Sequence, residues 1–249
     1  MILIVGLISH LENGNANMNN NLLQIKVKQR LNKLASFDYD NLECWQIAEA
    51  FNKAQLSWTR RQMYGINIRK EGAEQSSGLV DDLQRLMKHE QLQMTQKGIF
   101  YQTPLPDNYL HYVRTDVFAQ QECCPARRMM VYEVEEANIS VILDNKDKQP
   151  NFEWAETVAT LMNNTLKVYT DNKFDITECH LIYFRKPLEV QFKDCINIAT
   201  GITFSADQEC EFNDDIAEII VDEAVSILAG DIESVTQYQR EQQNVQSNS

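Results

Sequence analysis

The sequence predicts an α+β fold, in which N- and C-terminal helices form a helical body and an antiparallel β lobe is inserted between them. Apolar residues recur at helical spacing near both ends of the chain. The middle third is instead rich in β-branched and aromatic residues punctuated by turn residues. The chain has 249 residues, of which 43% are hydrophobic and 24% charged. That length is sufficient to bury a core without covalent crosslinks.

Residues 1–21 are predicted to be a flexible N-terminal extension. Residues 1–8 are apolar, like the core of an export signal, but no basic residue precedes them and no small-residue cleavage site follows. Residues 13–21 have the Asn-rich composition of a linker. We favour an extension over residues 1–17 that is disordered or absent from the mature protein, with Met18 as a second start. An export signal is the alternative.

Residues 22–97 are predicted to be a helical segment. A first helix covers Leu22–Leu34, and a second runs from about Asn41 to Tyr64 and ends at Gly65. A third is expected over Leu79–Met87. The buried stripe of the second helix consists of Ile47, Phe51, Ala54 and Trp58.

Residues 98–193 are predicted to be the antiparallel β lobe, with five to seven strands. Asn163–Asn164 and Asp171–Asn172 are expected turns within it. Its expected strands include Thr165–Tyr169, Thr177–Arg185, Ile139–Leu143 and Leu188–Phe192.

Residues 194–232 are predicted to be an acidic segment containing the C-terminal helix. Asn213 or Asp214 is the expected N-cap, and Gly230 the expected end. Its apolar stripe, which includes Ile220 and Ile227, is expected to pack on Phe51 and Trp58 of the second helix.

Residues 233–249 are predicted to be a polar tail that is disordered alone. Ile232, just before this tail, and Val235 and Tyr238 within it recur every three residues, and we expect them to order against a neighbouring subunit.

Negative charge is concentrated near the C-terminus. The net charge is −13, and residues 194–239 contain eleven acidic residues but no Lys or Arg. Three interpretations remain open: a solvated helix face, a wall that repels DNA phosphates, or a collar that meets a basic surface on a partner ring. The candidate residues for the two functional interpretations are Asp214, Asp215, Glu218 and Asp222.

Composition and motifs argue against several classes of protein. The acidic balance disfavours a sequence-blind nucleic-acid binder and a polybasic membrane-surface protein. No phosphate-binding loop, nucleophile elbow or metalloprotease motif occurs, so we expect no catalysis and no cofactor. The Cys and His spacings do not suit a zinc site, and we expect free thiols in a reducing cytosol. Asp144, Asn145 and Asp147 are expected to form a solvated turn, and Trp45, Trp58 and Trp154 to be core residues.

A series of segments along the chain carries a resemblance to a known family. In order these are FNKAQLSWTRRQMYG, LPDNYLHYVR, LKVYTDNKF, IYFRKPLEVQF and CEFNDDIAEIIVDEAVSILAGDIES. Over roughly residues 40–235 the chain resembles the virion ring, or head–tail adaptor, proteins of tailed bacteriophages, most closely those of crAss-like phages. It departs from them at Asn213, where related sequences often carry Pro.

The resemblance implies a structural role in the neck of the virion. The protein would form a homo-oligomeric ring, with twelve copies expected, between portal and tail proteins, assembled in the cytoplasm of the bacterial host. DNA would pass through the ring without specific binding, and no membrane would be involved. The alternative is a small-molecule or carbohydrate-binding accessory module, or an enzyme, that uses the β lobe.

Overall fold

The structure is a computed structural model that describes residues 18–32, 42–64, 83–122, 124–197, 201–231 and 243. The chain folds into two compact units. The helical unit contains the described residues up to Arg85 and those from Pro187 onward, and the sheet unit is Leu86–Lys186.

Three helices of the helical unit follow from the apolar stripes of the sequence. They are α1 (Asn20–Asn32), α2 (Cys44–Tyr64) and, after the sheet unit, α4 (Asp214–Asp231). The side chain of Asn19 accepts the backbone N–H of Leu22 at 2.8 Å and thereby caps α1. Both α1 and α2 pack against α4, which confirms the predicted packing of the second helix on the last.

The core of the helical unit lies between these helices. On α2, Phe51 is fully buried and Trp58 is 3% exposed. The rings of Trp58 and Phe212 meet edge to face, with their centroids 5.1 Å apart. Ile220 of α4 is fully buried, whereas Ile227 is only half-buried.

Between the sheet unit and α4, the described residues 187–197 and 201–213 form an irregular segment. Isolated bridges join Gln191 to Gln208 and Ile196 to Thr203. The side chain of Asn52 accepts the N–H of Val190 at 2.7 Å and donates to its carbonyl at 3.1 Å. The prediction of a strand over Leu188–Phe192 was wrong, because α2 side chains satisfy this backbone in place of a ladder.

A disulfide joins Cys44, at the start of α2, to Cys195 in the irregular segment. The prediction of free thiols was wrong for this pair. The two cysteines are 151 residues apart in sequence, and only the fold brings their Cα atoms to 6.0 Å. Cys179 and Cys210 are buried free thiols, and burial raises their pKa values to about 12 and about 11.

The sheet unit is built on one eight-stranded mixed sheet with the order β1-β8-β4-β5-β6-β7-β3-β2. Its neighbours are antiparallel except β5 and β6, which are parallel. In chain order the strands are β1 (Met87–Leu92), β2 (Thr95–Lys97), β3 (Phe100–Pro104), β4 (Tyr109–Gln121), β5 (Cys124–Glu133), β6 (Glu156–Met162), β7 (Thr165–Tyr169) and β8 (Asp175–Arg185).

The turns and the core of the sheet follow local chemistry. Asn163 and Asn164 join β6 to β7 with φ of 51° and 57°, as the favoured two-residue hairpin turn requires. One face of the sheet packs around Val117, Met129, Leu166 and other buried side chains. The remaining members of this core are Leu105, Ala119, Phe152, Ala159, Val168, Phe174, Cys179, Leu181 and Tyr183.

The connection between the parallel strands contains a short helix, α3 (Ile139–Asp144), where the sequence predicted a strand. Parallel strands need a crossover, and this one starts with a 3₁₀ turn at Glu136–Asn138 that packs on β6. Glu136 accepts hydrogen bonds from Thr160 and from Lys167, the latter at 2.6 Å. Burial alone would raise the pKa of Glu136, but these two donors outweigh it and lower the pKa.

The predicted fold class was therefore wrong. The dominant element is a curled, eight-stranded mixed sheet, a half-barrel, rather than a small antiparallel lobe inserted into a helical body. Four helices occur in the described part of the chain, one of them C-terminal. Of the expected helix over Leu79–Met87, residues 79–82 lie outside the described residues and Leu83 is helical. A 3₁₀ turn at Gln84–Leu86 then leads into β1, so the prediction was wrong at Met87.

Candidate interaction surfaces

The acidic residues of α4 fall into two groups with different environments. Glu218 forms ion pairs with Lys26 and Arg30 of α1, and Arg30 also pairs with Asp222. Further along α4, both terminal guanidinium nitrogens of Arg61 from α2 donate to the Glu223 carboxylate, one of them at 3.0 Å. These acids bind α4 to the helices on which it packs.

Asp214 and Asp215 differ because both are exposed in the first turn of α4. Among the described residues, no ion pair joins either carboxylate to a basic side chain of the same chain. Acidic side chains at a helix N-terminus complement the partial positive charge of the helix dipole. Of the four predicted surface acids, these two are therefore open to a partner, whereas Glu218 and Asp222 are engaged within the helical unit.

Ile232, Val235 and Tyr238 lie outside the described residues, so their predicted role stays a prediction. The Asp144–Asp147 turn is held by the side chain of Asn145, which accepts the N–H of Asp147 at 2.9 Å. Within the described ranges, no group of three or more His, Cys, Asp or Glu side chains is arranged to hold a metal ion.

A second surface lies on the sheet unit, over the outward face of β4 and β5. It lines a half-open depression of about 430 Å³. We call it the aromatic–arginine patch, and its residues are Arg114, Asp116, Arg128, Met130, Trp154 and Glu156. Sequence analysis did not identify it.

Trp154 is the most prominent side chain of the aromatic–arginine patch. It is 59% exposed, so the prediction that it is a core residue was wrong. Its polar neighbours in sequence, Glu153 and Glu156, were the available signal, since no apolar stripe continues through them. Met130 is 60% exposed beside it.

A tight turn holds Trp154 in this position. Asn151 and Glu156 exchange two backbone hydrogen bonds of 2.9 and 3.0 Å, and the side chain of Asn151 accepts the N–H of Trp154 at 3.1 Å. Ala155 has a φ of 57°, a left-handed conformation that is unfavourable for a residue with a β-carbon. The fold thus maintains local backbone strain at the point where it exposes a large aromatic ring.

The two arginines of the aromatic–arginine patch converge on one of its two carboxylates. The guanidinium groups of Arg114 and Arg128 both contact Asp116, at 3.4 and 2.7 Å. Both arginine side chains remain more than half exposed, whereas that of Asp116 is 19% exposed. Glu156 accepts a hydrogen bond from Tyr132 at 3.3 Å. Two guanidinium groups thus share one carboxylate, which leaves hydrogen-bond donors available to an incoming acid.

Comparison with known proteins adds no family assignment. No protein-family model matches the chain, and no curated protein is similar to it in sequence. No helix in the part of the chain that the structure describes is long and apolar enough to cross a membrane.

Proposed function

We propose that this chain is a structural subunit of the ring that connects portal and tail in a tailed bacteriophage, surrounding the DNA channel without catalysing a reaction. The resemblance of the ordered sequence segments to head–tail adaptor proteins suggests the place of action. The observation that carries the assembly role is the aromatic–arginine patch, because Trp, Tyr and Arg dominate the binding energy of protein interfaces.

The geometry favours a protein partner over an enclosed small ligand. The depression is half-open, and Trp154 and Met130 project from a charged surface. Ligand sites are usually concave cavities that bury most of the ligand. An exposed tryptophan beside an exposed methionine offers a protein partner a large, rigid apolar contact. The alternative of a small-molecule or carbohydrate module is therefore less well supported.

The composition of purified virions tests the proposal. We expect the chain to be present in a fixed ratio to the portal protein, with many copies per particle. Particles assembled without this chain should be DNA-filled heads that carry no tail. Complete tailed and infective particles that lack the chain would contradict the proposed function.

A further inference from the structure

We infer that the Cys44–Cys195 disulfide is an oxidative lock: the chain folds and assembles with both thiols reduced, and the bond closes after the chain leaves the host cytoplasm. The inference rests on the proposed function, in which the ring is assembled in the cytoplasm of a bacterium and released with the virion. Disulfides persist in oxidising surroundings and are rare in the cytosol. A disulfide in such a chain is therefore closed after assembly.

The position of the bond decides which part of the fold it stabilises. The helical unit is made of two stretches of chain, the described residues up to Arg85 and those from Pro187 onward. Cys44 belongs to the first stretch and Cys195 to the second. The bond therefore joins the two stretches, which the whole sheet unit separates in sequence.

Non-covalent contacts hold the two cysteines close together before the bond closes. Cys44 is the first residue of α2, and Asn52 of the same helix exchanges two hydrogen bonds with the backbone of Val190. Two residues further on, Phe192 is 2% exposed, and its carbonyl accepts the N–H of Cys195 at 3.1 Å. The reduced thiols are thus at a high effective concentration, so oxidation requires no rearrangement of the fold.

The exposure of the two cysteines selects the order of the oxidation steps. Cys195 is 3% exposed, whereas Cys44 is half-buried, so a small-molecule disulfide reaches Cys44 first. The Cys44 thiolate attacks one sulfur of that disulfide, forms a mixed disulfide and releases one small thiol. The Cys195 thiolate then attacks the Cys44 sulfur, closes the bond and releases the second small thiol. The two electrons and two protons of the cysteine pair pass to these two small thiols.

Burial keeps two other cysteines out of this reaction. Cys210 lies in the helical unit and Cys179 in the core of the sheet unit, and both are fully buried. The nucleophile in disulfide exchange is the thiolate, which neither forms readily at neutral pH because burial raises both pKa values. Oxidation is therefore directed to the pair that the fold has already brought together.

Trapping of the first step tests the chemistry. The full chain is purified with reduced thiols, both unchanged and as Cys44→Ser or Cys195→Ser, and is treated with oxidised glutathione. We expect the unchanged chain to close the bond, Cys195→Ser to retain one glutathione at Cys44, and Cys44→Ser to leave Cys195 unmodified. Peptide mass spectrometry identifies each site. Cys124→Ser is the matched control, because Cys124 is also half-buried but lies in the sheet unit, and its loss should not change closure.

Alkylation of the thiols inside cells and in released particles tests the timing. Cys44 should be recovered alkylated from cells that are quenched during assembly, and disulfide-bonded from released particles. Particles of the Cys44→Ser/Cys195→Ser chain should assemble in unchanged numbers. In urea they should lose their necks at least about ten times faster than oxidised unchanged particles, because the two stretches of the helical unit are then free to separate.

Four results would overturn the inference. These are a reduced chain that does not fold, a bond already closed in the cytoplasm, capture of glutathione at Cys195 in place of Cys44, and equal rates of neck loss with and without the bond. Absence of the chain from virions would instead refute the proposed function. Folding of the reduced chain and trapping at Cys44 are measured on the purified chain, so the two failures are distinguishable.

Discussion

The acidic helix α4 and the aromatic–arginine patch differ in how their charges are satisfied. The helix α4 contains most of the acidic residues of the segment 194–239. Of these, Glu218, Asp222 and Glu223 form ion pairs with basic side chains of the same unit. The patch carries two arginines and two acids, and both arginines contact the same carboxylate, Asp116. An excess of charge in a sequence therefore does not by itself locate an interaction surface, because the fold can pair those charges within one unit.

The two tryptophans offer the largest expected contrast between the units. Trp58 is 3% exposed and packs on Phe212, so Trp58→Ala should lower the free energy of unfolding by about 3–5 kcal/mol. Trp154→Ala, the control in the sheet unit, should change it by less than about 0.5 kcal/mol. Urea unfolding measures both. A loss below about 1 kcal/mol for Trp58→Ala would make Trp58 a surface residue and remove the contrast.

The disulfide Cys44–Cys195 makes a second difference between the units, since both of its cysteines belong to the helical unit. Replacing both cysteines with Ser should lower the free energy of unfolding by about 2–4 kcal/mol under oxidising conditions. The reduced unchanged chain and the double Ser variant should then unfold alike. Equal stability of the oxidised and reduced chains would show that the bond does not form.

Arginine substitutions test the charge comparison itself. Arg61→Met leaves Glu223, whose side chain is 9% exposed, without its partner and should cost about 3 kcal/mol. Arg128→Met removes an exposed pair and should cost less than about 1 kcal/mol, although it weakens association. Thermal or urea unfolding of the two variants checks this order. Equal losses of unfolding free energy in the two variants would mean that the Arg61–Glu223 ion pair stabilises the fold no more than the exposed pair at Arg128 does.

The smallest expected effect is a pH dependence at Asp207. The side chain of Asn20 and the backbone N–H of Lys193 donate to Asp207 and lower the pKa of its carboxyl. A depressed pKa in the folded state adds stability above the unfolded pKa of 3.8, and this is lost as the pH falls through the folded value. The unchanged chain should therefore exceed Asp207→Asn in stability at about pH 5, and the difference should shrink as the pH falls below the unfolded pKa of 3.8. A constant difference between the two would contradict this role.

The sequence predicted elements where a local pattern sufficed. The stripes of α1, α2 and α4, the strand Thr165–Tyr169 and the turn at Asn163–Asn164 depend on spacing and backbone preference alone. The parallel pairing of β5 with β6 could not be predicted from such patterns, because it depends on where the connection through α3 places β6. The β-branched residues of Ile139–Leu143 predicted a strand, and the tertiary structure overrode that preference.

The candidate surfaces could be predicted in part. The sequence pointed to Asp214 and Asp215, which are exposed, and equally to Glu218 and Asp222, which are not free. Telling them apart requires the positions of Lys26 and Arg30, almost two hundred residues earlier in the chain. The aromatic–arginine patch was missed because its residues come from β4, β5, the turn before β6 and the first residue of β6.

Electron cryo-microscopy of the neck of phage particles assembled with this chain tests the central claim most directly. We expect a closed ring of identical copies around the DNA channel between portal and tail, with Trp154 of each copy covered by a neighbouring protein. A chain absent from the neck, or present there as isolated copies with Trp154 facing solvent, would contradict it.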